Sequence, residues 1–209
     1  MKIVDLSHSL YNGMPTYPSD PDIIITKRKN IAQHYSDLHE FTMGTHTGTH
    51  LDTPAHIFSK GKTLSDFPLT SFMGRFIKVD RKNYKKINEL AEKFSGVIYD
   101  TGWSQYFKDS KKYYGSHRPS IPRDLVNFCI KNRINKFGCD LPSVDVSGSK
   151  DKPVHKVLLK NEIIIYESLT NLQQLPSLKP FDFYGFPLAL LKLDASPVRA
   201  VAVINHKTN

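Results

Sequence analysis

From Arg75 onward, short apolar runs alternate with segments of helical pattern. The run RFIKVD is followed by NYKKINELAEKF, whose apolar residues recur at helical spacing, and then by the apolar run VIYDT after Gly96. Two further helices, predicted over residues 122–133 and 153–160, lead into the apolar runs FGCD and IIIYES. A strand, a helix and a strand in that order form the unit from which parallel sheets are built. The chain is therefore predicted to belong to the α/β class.

The first third of the chain is predicted to be rich in strands. Residues 3–6, 23–28 and 38–43 are short, apolar or β-branched, and bounded by Pro, Asn, Asp or Gly. Strands placed in this way favour a mixed sheet with flanking helices over a purely parallel sheet. Because 209 residues are enough for one substantial core, we predict a single compact domain over residues 1–209.

Charge and cysteine content bear on the ligand and the compartment. The formal net charge of +9 makes nucleic acid an alternative ligand. However, the basic residues occur in small groups separated by acidic and apolar residues, which favours a solvated surface. Cys129 and Cys139 lack the spacing of a redox or zinc-finger motif. With no apolar span and no signal-peptide pattern, the expected protein is cytoplasmic, with reduced thiols.

Four residues that can bind metal or transfer protons lie within the segment HTGTHLDTPAH: His46, His50, Asp52 and His56. In an extended chain these even-numbered side chains share one face. The surrounding threonines, a glycine and a proline disfavour a helix, so we place the motif on a strand and the turn after it. Full extension would separate His46 from His50 by about 13 Å, too far for one metal ion. The backbone must therefore bend, and Gly48 permits the bend.

These residue types are typical of a catalytic metal site. Two imidazoles and a carboxylate commonly bind a divalent metal and leave positions open for water and substrate. Such a metal lowers the pKa of bound water to about 7 and polarises a carbonyl, and both effects assist hydrolysis. A nearby histidine such as His56 can transfer the proton. The alternatives are a threonine-rich edge strand and a phosphate loop, but the lysine of a P-loop is missing and Asp52 would repel phosphate.

The segment GTHTGTHLDTPAHIF, residues 44–58, strongly resembles the signature of the cyclase family of metal-dependent hydrolases. That family includes bacterial kynurenine formamidases and related amide and lactone hydrolases. The similarity extends through VDLSHSLYNGMPTYPSD, TGWS, DLPSVD and HKVLLKNEIIIYESLTNLQQL. It implies a compact α/β domain of the swivelling β/β/α type that assembles as a dimer or tetramer. We therefore expect a homo-oligomer, in which the N-terminal segment could contribute to a neighbour's pocket.

The resemblance also implies a set of metal ligands. His46, His50 and Asp52 correspond to the ligands of a first metal ion. In family members with two metals, a histidine that opens a helix and a glutamate after the next strand complete a second site, and these positions hold His155 and Glu167. Asp52 would bridge the two ions. The expected cofactor is zinc, as one or two ions, with manganese as the alternative.

By the same resemblance, His56 corresponds to the proton-transferring residue of the active site. The N-terminal motif departs from many formamidases of the family, which have Trp and Gly where this chain has Tyr17 and Ser19. An aromatic wall is retained, but its shape is changed. We predict that Tyr17, Phe58 and Trp103 line the substrate pocket.

The leading functional hypothesis is metal-dependent hydrolysis of a small amide, formamide or lactone. The alternative within the same class is an arylformamidase that acts on N-formylkynurenine in tryptophan degradation. A basic nucleic-acid-binding module and an inactive metal-binding relative are further alternatives, and retention of His56 disfavours the latter. The expected partners are a small-molecule substrate and other copies of the chain, without nucleic acid or membrane. Residues expected only in surface or local structural roles are Asp20, Asp140, Asp145, His8, His34, His39, His117 and His206.

Overall fold

The computed structural model describes residues 1–205, so His206 lies outside the described residues. The strands are β1 (Lys2–Asp5), β2 (Ile24–Lys29), β3 (Leu38–Thr42), β4 (His50–Asp52), β5 (Met73–Asp80), β6 (Gly96–Asp100), β7 (Lys136–Cys139), β8 (Ile164–Glu167), β9 (Pro180–Tyr184), β10 (Ala195–Pro197) and β11 (Val201–Ile204). The α-helices are α1 (Ile31–His34), α2 (Ser110–Tyr113), α3 (Arg123–Lys131) and α4 (Pro153–Lys160). Short 3-10 helices cover Pro54–His56, Leu64–Asp66, Leu69–Phe72, Tyr84–Glu89, Trp103–Tyr106 and Leu172–Gln174. Within residues 1–205, no helix has the length and apolar character needed to cross a membrane.

Nine strands form one sheet in the order β1-β11-β9-β5-β6-β7-β8-β4-β10. The four strands β5 to β8 run parallel to one another, and the other pairs in the sheet are antiparallel. Parallel neighbours need crossover connections, which here contain α3 and α4. β2 and β3 pair with each other in a separate two-stranded sheet. The structure confirms the α/β class and the mixed sheet.

The sheet separates two apolar cores. Alternate residues of β5 point to opposite faces, so Ile77 and Val79 enter one core while Phe76 enters the other. The first core is closed by α3 and α4, whose buried side chains include Leu125 and Leu158. The second core is closed by strands at the ends of the curled sheet and by loops. The flanking helices α3 and α4 therefore cover one face.

One predicted helix is only partly present. The pattern predicted a helix over residues 83–94, but the structure has a 3-10 helix at Tyr84–Glu89, followed by extended backbone at Leu90. Ile87 is buried in the first core, while Leu90 and Phe94 pack against it from non-helical backbone. Apolar residues three apart also lie on one side of a 3-10 helix, so this spacing could not distinguish the two forms.

Candidate metal centre

The histidine motif occupies a turn, strand β4 and the 3-10 helix after it. His46 lies in the turn, His50 and Asp52 lie in β4, and the last histidine of the motif ends the helix Pro54–His56. Gly48 has φ +64°, in the left-handed region that favours glycine. The predicted bend between His46 and His50 is thus present, and its position is at Gly48.

Strand β4 brings the distant ligands to the motif. It pairs antiparallel with β8 and places His50 opposite Glu167. The first turn of α4, in the connection between β7 and β8, carries His155. β4 itself lies between β8 and β10, and the side chains of His50, Asp52, His155 and Glu167 are all buried.

The two oxygens of Asp52 face different sets of ligands. Oδ1 lies 2.9 Å from His46 Nδ1 and 3.5 Å from His50 Nε2. Oδ2 lies 3.5 Å from His155 Nε2, which is also 3.3 Å from Glu167 Oε1. Ligand atoms that share a tetrahedral metal at about 2.0–2.1 Å are about 3.3 Å apart. His50 Nε2 also lies 3.5 Å from Glu167 Oε2. The donor atoms of these residues therefore surround the Asp52 carboxylate at distances close to those found between ligands of one metal ion.

In three histidines, the ring nitrogen that points away from Asp52 contacts an oxygen of the surrounding protein. The contacts are His46 Nε2 to Asp194 Oδ2 at 3.0 Å, His50 Nδ1 to the Gly48 carbonyl at 2.9 Å, and His155 Nδ1 to Asp145 Oδ2 at 2.6 Å. An oxygen that accepts from one ring nitrogen fixes the proton there and turns the lone pair of the other nitrogen toward the centre. Metal-binding histidines are commonly held in this way.

The buried atoms at the centre fit a divalent cation. Among residues 1–205, no hydrogen bond reaches His50 Nε2 or either carboxylate oxygen of Asp52, although all three atoms are buried. His46 Nδ1 is close to Asp52 Oδ1 but lacks hydrogen-bond geometry. A buried carboxylate without partners carries a large desolvation cost. A cation would satisfy all three atoms, so the donor set fits a metal.

The charges of the centre favour ionised carboxylates. Burial would raise the pKa of Asp52, but His46 and His50 hold it well below its usual range. Burial would also raise the pKa of Glu167, yet His155 lowers it to about 2. Burial lowers the pKa of His46, but the nearby carboxylates outweigh burial and raise it to about 10. A metal ion would therefore bind carboxylates that are already ionised and would displace a proton from His46.

His56 lies beside the centre with both ring nitrogens in contact with other groups. One ligand atom each of His46, Asp52 and His56 lie within 4.8 Å of one another. The same is true of His50, Asp52 and Glu167. However, His56 Nε2 is 2.9 Å from the ammonium of Lys152, and a cation at that position excludes a metal ion from the same nitrogen. The contacts thus favour His50, whose Nε2 has no partner, over His56 as a ligand.

A cavity of about 160 Å³ opens onto this cluster. Besides the cluster itself, its lining includes Tyr17, Tyr114, Ser143, Lys152 and Asp20. The rings of Tyr17 and Tyr114 meet edge to face with centroids 5.6 Å apart. The cavity therefore has one aromatic wall and several polar groups close to the candidate metal ligands.

Comparison with known proteins places the chain in a family. The family model described as "Putative cyclase" matches residues 4–146. The kynurenine formamidase of Geobacillus thermodenitrificans is 33% identical over 207 residues, which cover 94% of this chain and 95% of that protein. The kynurenine formamidase of Salinibacter ruber is 30% identical over 210 residues, which cover 96% of this chain and 97% of that protein. This chain belongs to the cyclase family.

The solved structure of isatin hydrolase A from Ralstonia solanacearum has the same fold. It matches with a TM-score of 0.85 at 21% sequence identity, over 96% of this chain and 91% of that one. At this level of identity the likeness concerns the fold alone. It confirms that the cyclase-family chain has the compact α/β architecture expected from its sequence.

Two of the three predicted pocket residues lie elsewhere in this cyclase-family chain. Tyr17 lines the cavity, but Phe58 packs against the first apolar core. Trp103 packs against two cores, and its Nε1 donates to the Tyr113 carbonyl at 3.0 Å. An aromatic ring gains more from such packing than from a wet cavity, and the indole N–H already has a partner.

Sequence reasoning did not identify Asp194 or Lys152 and gave Asp145 only a local structural role. Asp194 comes directly before β10, and its carbonyl accepts from the backbone and hydroxyl of Thr53. Asp145 accepts from the backbone N–H groups of Val154 and His155 as well as from the imidazole of His155. Only the pairing of β10 with β4, and the start of α4, bring these side chains to the centre.

The other residues predicted to have surface or structural roles lie in four different environments. Asp140 accepts from Thr101 and from the backbone of Trp103, which confirms a local structural role. Asp20 accepts from Ser19 but also lines the cavity. The exposed histidines, as expected, are His34, His39 and His117. His8 differs from them, because its ring is stacked on that of Phe107.

Proposed function

We propose that this chain is a metal-dependent hydrolase that cleaves a small amide, formamide or lactone. The observation that carries the proposal is the buried carboxylate of Asp52, whose two oxygens have no hydrogen-bond partner among residues 1–205 and face separate sets of nitrogen and oxygen donors. The curated relatives named as kynurenine formamidases add support, since their matches extend over almost the whole chain.

In this proposal, His46, His50 and Asp52 would hold a first ion, and His155 and Glu167 would complete the site of a second, with Asp52 available to both. We take zinc as the metal because imidazole and carboxylate ligands suit it, with manganese as the alternative. When bound, a divalent metal supplies Lewis acidity and lowers the pKa of water to about 7. Asp145 and Asp194 keep the ligand imidazoles of His155 and His46 in orientation.

His56 is the proton-transferring residue in the proposed reaction. Lys152 carries only donors, so His56 Nε2 must accept from it, and the proton of the ring then lies on Nδ1, 3.2 Å from Asp194 Oδ2. Nε2 is consequently the basic nitrogen. It can take a proton from the attacking water and pass it to the leaving nitrogen or oxygen, while Asp194 stabilises the ring as it becomes charged.

A second candidate is an arylformamidase acting on N-formylkynurenine in tryptophan degradation. The edge-to-face pair of Tyr17 and Tyr114 in the cavity favours a substrate with an aromatic ring. Comparing N-formylkynurenine with simple formanilides and lactones separates the two candidates, and equal rates would remove the second. We also propose a cytoplasmic location, because Cys129 and Cys139 are buried free thiols.

Metal content per chain tests the proposed centre. We expect about two ions in the wild-type protein purified without chelator and reconstituted with zinc. His50→Ala and His155→Ala should each lose metal, since each removes an imidazole whose Nε2 faces Asp52. His39→Ala, at an exposed histidine, is the matched control and should keep both ions. Elemental analysis of the four proteins gives the answer.

His56→Gln separates binding from proton transfer. This variant should keep its metal and lose hydrolytic activity by about 10²–10⁴-fold, the usual contribution of a positioned acid or base. Loss of metal in His56→Gln would make His56 a ligand. A wild-type protein that binds no zinc or manganese after reconstitution, or that is fully loaded but inactive on a panel of amides, formamides and lactones, would contradict the proposed function.

A further inference from the structure

Lys152 places a cation inside the candidate active site. It directly precedes α4 with left-handed backbone dihedrals, φ 42° and ψ 55°. Its ammonium lies 2.9 Å from His56 Nε2, and its side chain lines the cavity together with Ser143. A ligand in contact with His56 Nε2 would therefore lie close to this ammonium.

The charge of Lys152 is not neutralised by the protein. Within residues 1–205, no carboxylate forms an ion pair with its ammonium, whose polar side-chain contact is the imidazole of His56. The nearest acidic residue along the chain, Asp151, is exposed and forms no ion pair with Lys152. Asp145 is engaged elsewhere, because it accepts from the N–H groups of Val154 and His155 at the start of α4. A partly buried cation without a counter-charge is costly, so an anion that enters the cavity would be stabilised there.

The remaining acids of the cavity do not fill this role. Glu167 faces His50 and His155 in the metal centre. Asp20 accepts from the Ser19 hydroxyl at 3.1 Å and has no ion pair with Lys152. The ammonium of Lys152 thus borders the part of the cavity beside His56, where neither of these carboxylates pairs with it.

We propose that Lys152 binds a carboxylate of the substrate, so that the enzyme acts on amides, formamides or lactones that carry a carboxylate close to the scissile bond. This inference rests on the proposed function. When the carboxylate pairs with the ammonium, it replaces the imidazole as the partner of Lys152 and leaves His56 Nε2 open to accept a proton. Lys152 is then a specificity-determining residue as well as a neighbour of the catalytic histidine.

The test compares 2-, 3- and 4-formamidobenzoate with formanilide, which lacks the carboxylate. The zinc-loaded wild type should have a higher kcat/KM for at least one formamidobenzoate than for formanilide. Lys152→Met should reduce this preference by about 10- to 100-fold, which corresponds to about 1.4–2.8 kcal/mol. Lys152→Arg should retain part of the preference, because it keeps the positive charge. Lys156→Met, at an exposed lysine of α4, should leave it unchanged.

Binding measurements give a readout that does not depend on turnover. Calorimetry should show that Lys152→Met weakens the binding of benzoate by about tenfold or more and leaves that of benzamide unchanged. If the metal alone bound the carboxylate, this substitution would leave the affinity for benzoate unchanged. Metal content is measured for each variant, so that an effect of lost zinc is not mistaken for an effect of the lost positive charge at residue 152.

The outcomes separate the inference from the proposed function. If Lys152→Met lowers kcat/KM equally for formanilide and the formamidobenzoates, and benzoate binding is unchanged, Lys152 acts only on His56 and the inference is wrong. If the wild type hydrolyses formanilide but shows no preference for any formamidobenzoate, the inference is also wrong, whereas the proposed hydrolase function is supported. If the zinc-loaded wild type hydrolyses no compound of a broad panel, the proposed function fails, and calorimetry alone decides whether Lys152 binds a carboxylate.

Discussion

The ring of His8 lies in an apolar contact that opposes its protonation. It is stacked on the ring of Phe107 with centroids 3.6 Å apart and planes 7° apart. Its Nε2 is buried and has no hydrogen-bond partner among residues 1–205. Burial lowers the pKa of His8 from 6.5 to about 4, so the ring is neutral in the folded protein near pH 7.

We expect the free energy of unfolding to decrease as pH falls from 6.5 toward 4. In this window the unfolded chain binds a proton at His8 that the folded chain excludes, so acid favours unfolding. The shift corresponds to a loss of about 3 kcal/mol at most. His8→Phe keeps an aromatic ring but removes the titration. Urea unfolding of metal-free protein across this range should therefore show a weaker pH dependence for His8→Phe than for the wild type.

His39→Phe is the matched control for this experiment, because His39 is exposed. Its pH dependence should equal that of the wild type. If His8→Phe also retained the full wild-type dependence, the proton uptake on unfolding would have to come from other groups, and the assigned role of His8 would be wrong.

At the residue scale, the sequence predicted the positions that lie within one short motif. His46, His50, Asp52 and His56 are close in sequence, and one turn and one short strand bring them together. Asp194 is far from them along the chain and touches His46 and His56 through the pairing of β10 with β4. No local pattern marks an aspartate of this kind, because its role arises from tertiary contact.

At the scale of the element, the turn before β4 determines how His50 is presented. Gly48 has φ +64°, and its carbonyl accepts from His50 Nδ1 at 2.9 Å. A Cβ at this position would lie 2.8 Å from Leu10 Cδ2. Gly13 also has a left-handed φ, +76°, but a Cβ there would have open space around it. The two glycines thus share a left-handed backbone conformation and differ in their neighbours and in the contact with a candidate ligand.

We expect Gly48→Ala and Gly13→Ala to have different effects on metal binding. Both substitutions should lower the free energy of unfolding by about 1–2 kcal/mol, because alanine disfavours the left-handed conformation. Gly48→Ala should lower it further, because its Cβ would lie 2.8 Å from Leu10 Cδ2. Only Gly48→Ala should also weaken zinc binding, by about 10- to 100-fold, since the shifted carbonyl no longer orients His50. Urea unfolding without metal and zinc titration measure the two effects separately. Equal zinc affinity in the two variants would show that the turn does not control the ligand.

The sequence predicted the parallel strands at the centre of the sheet better than the shortest strands at its edge. Patterns around β5, β6, β7 and β8 predicted strands there, because each is a continuous apolar run in a parallel sheet. β4 and β10 have three residues each. The composition of the motif predicted a strand at β4, but no pattern predicted β10 or its pairing with β4. The position of Asp194 at the centre therefore depends on a strand that local patterns do not reveal.

At the scale of the whole molecule, the β2–β3 hairpin leaves apolar side chains exposed. Ile24 is 58% exposed, Leu38 is 48% exposed and Phe41 is 59% exposed. Ile24 pairs with Thr42 and Ile25 pairs with Phe41, so the exposed residues occupy both faces of the hairpin. A two-stranded sheet is marginally stable alone in water. Burial of these side chains against a second copy of the chain would stabilise it.

Self-association through this hairpin remains a prediction. We expect sedimentation equilibrium of the wild type at micromolar concentration to give a dimer or tetramer. The triple variant Ile24→Lys, Leu38→Lys, Phe41→Lys should shift the mass toward a monomer, because it places charges where apolar surface would be buried. The control Leu69→Lys, Leu191→Lys changes exposed leucines outside the hairpin and should keep the wild-type mass. A wild type that is monomeric at every concentration would refute self-association, whereas an unchanged mass in the triple variant would place the interface on another surface.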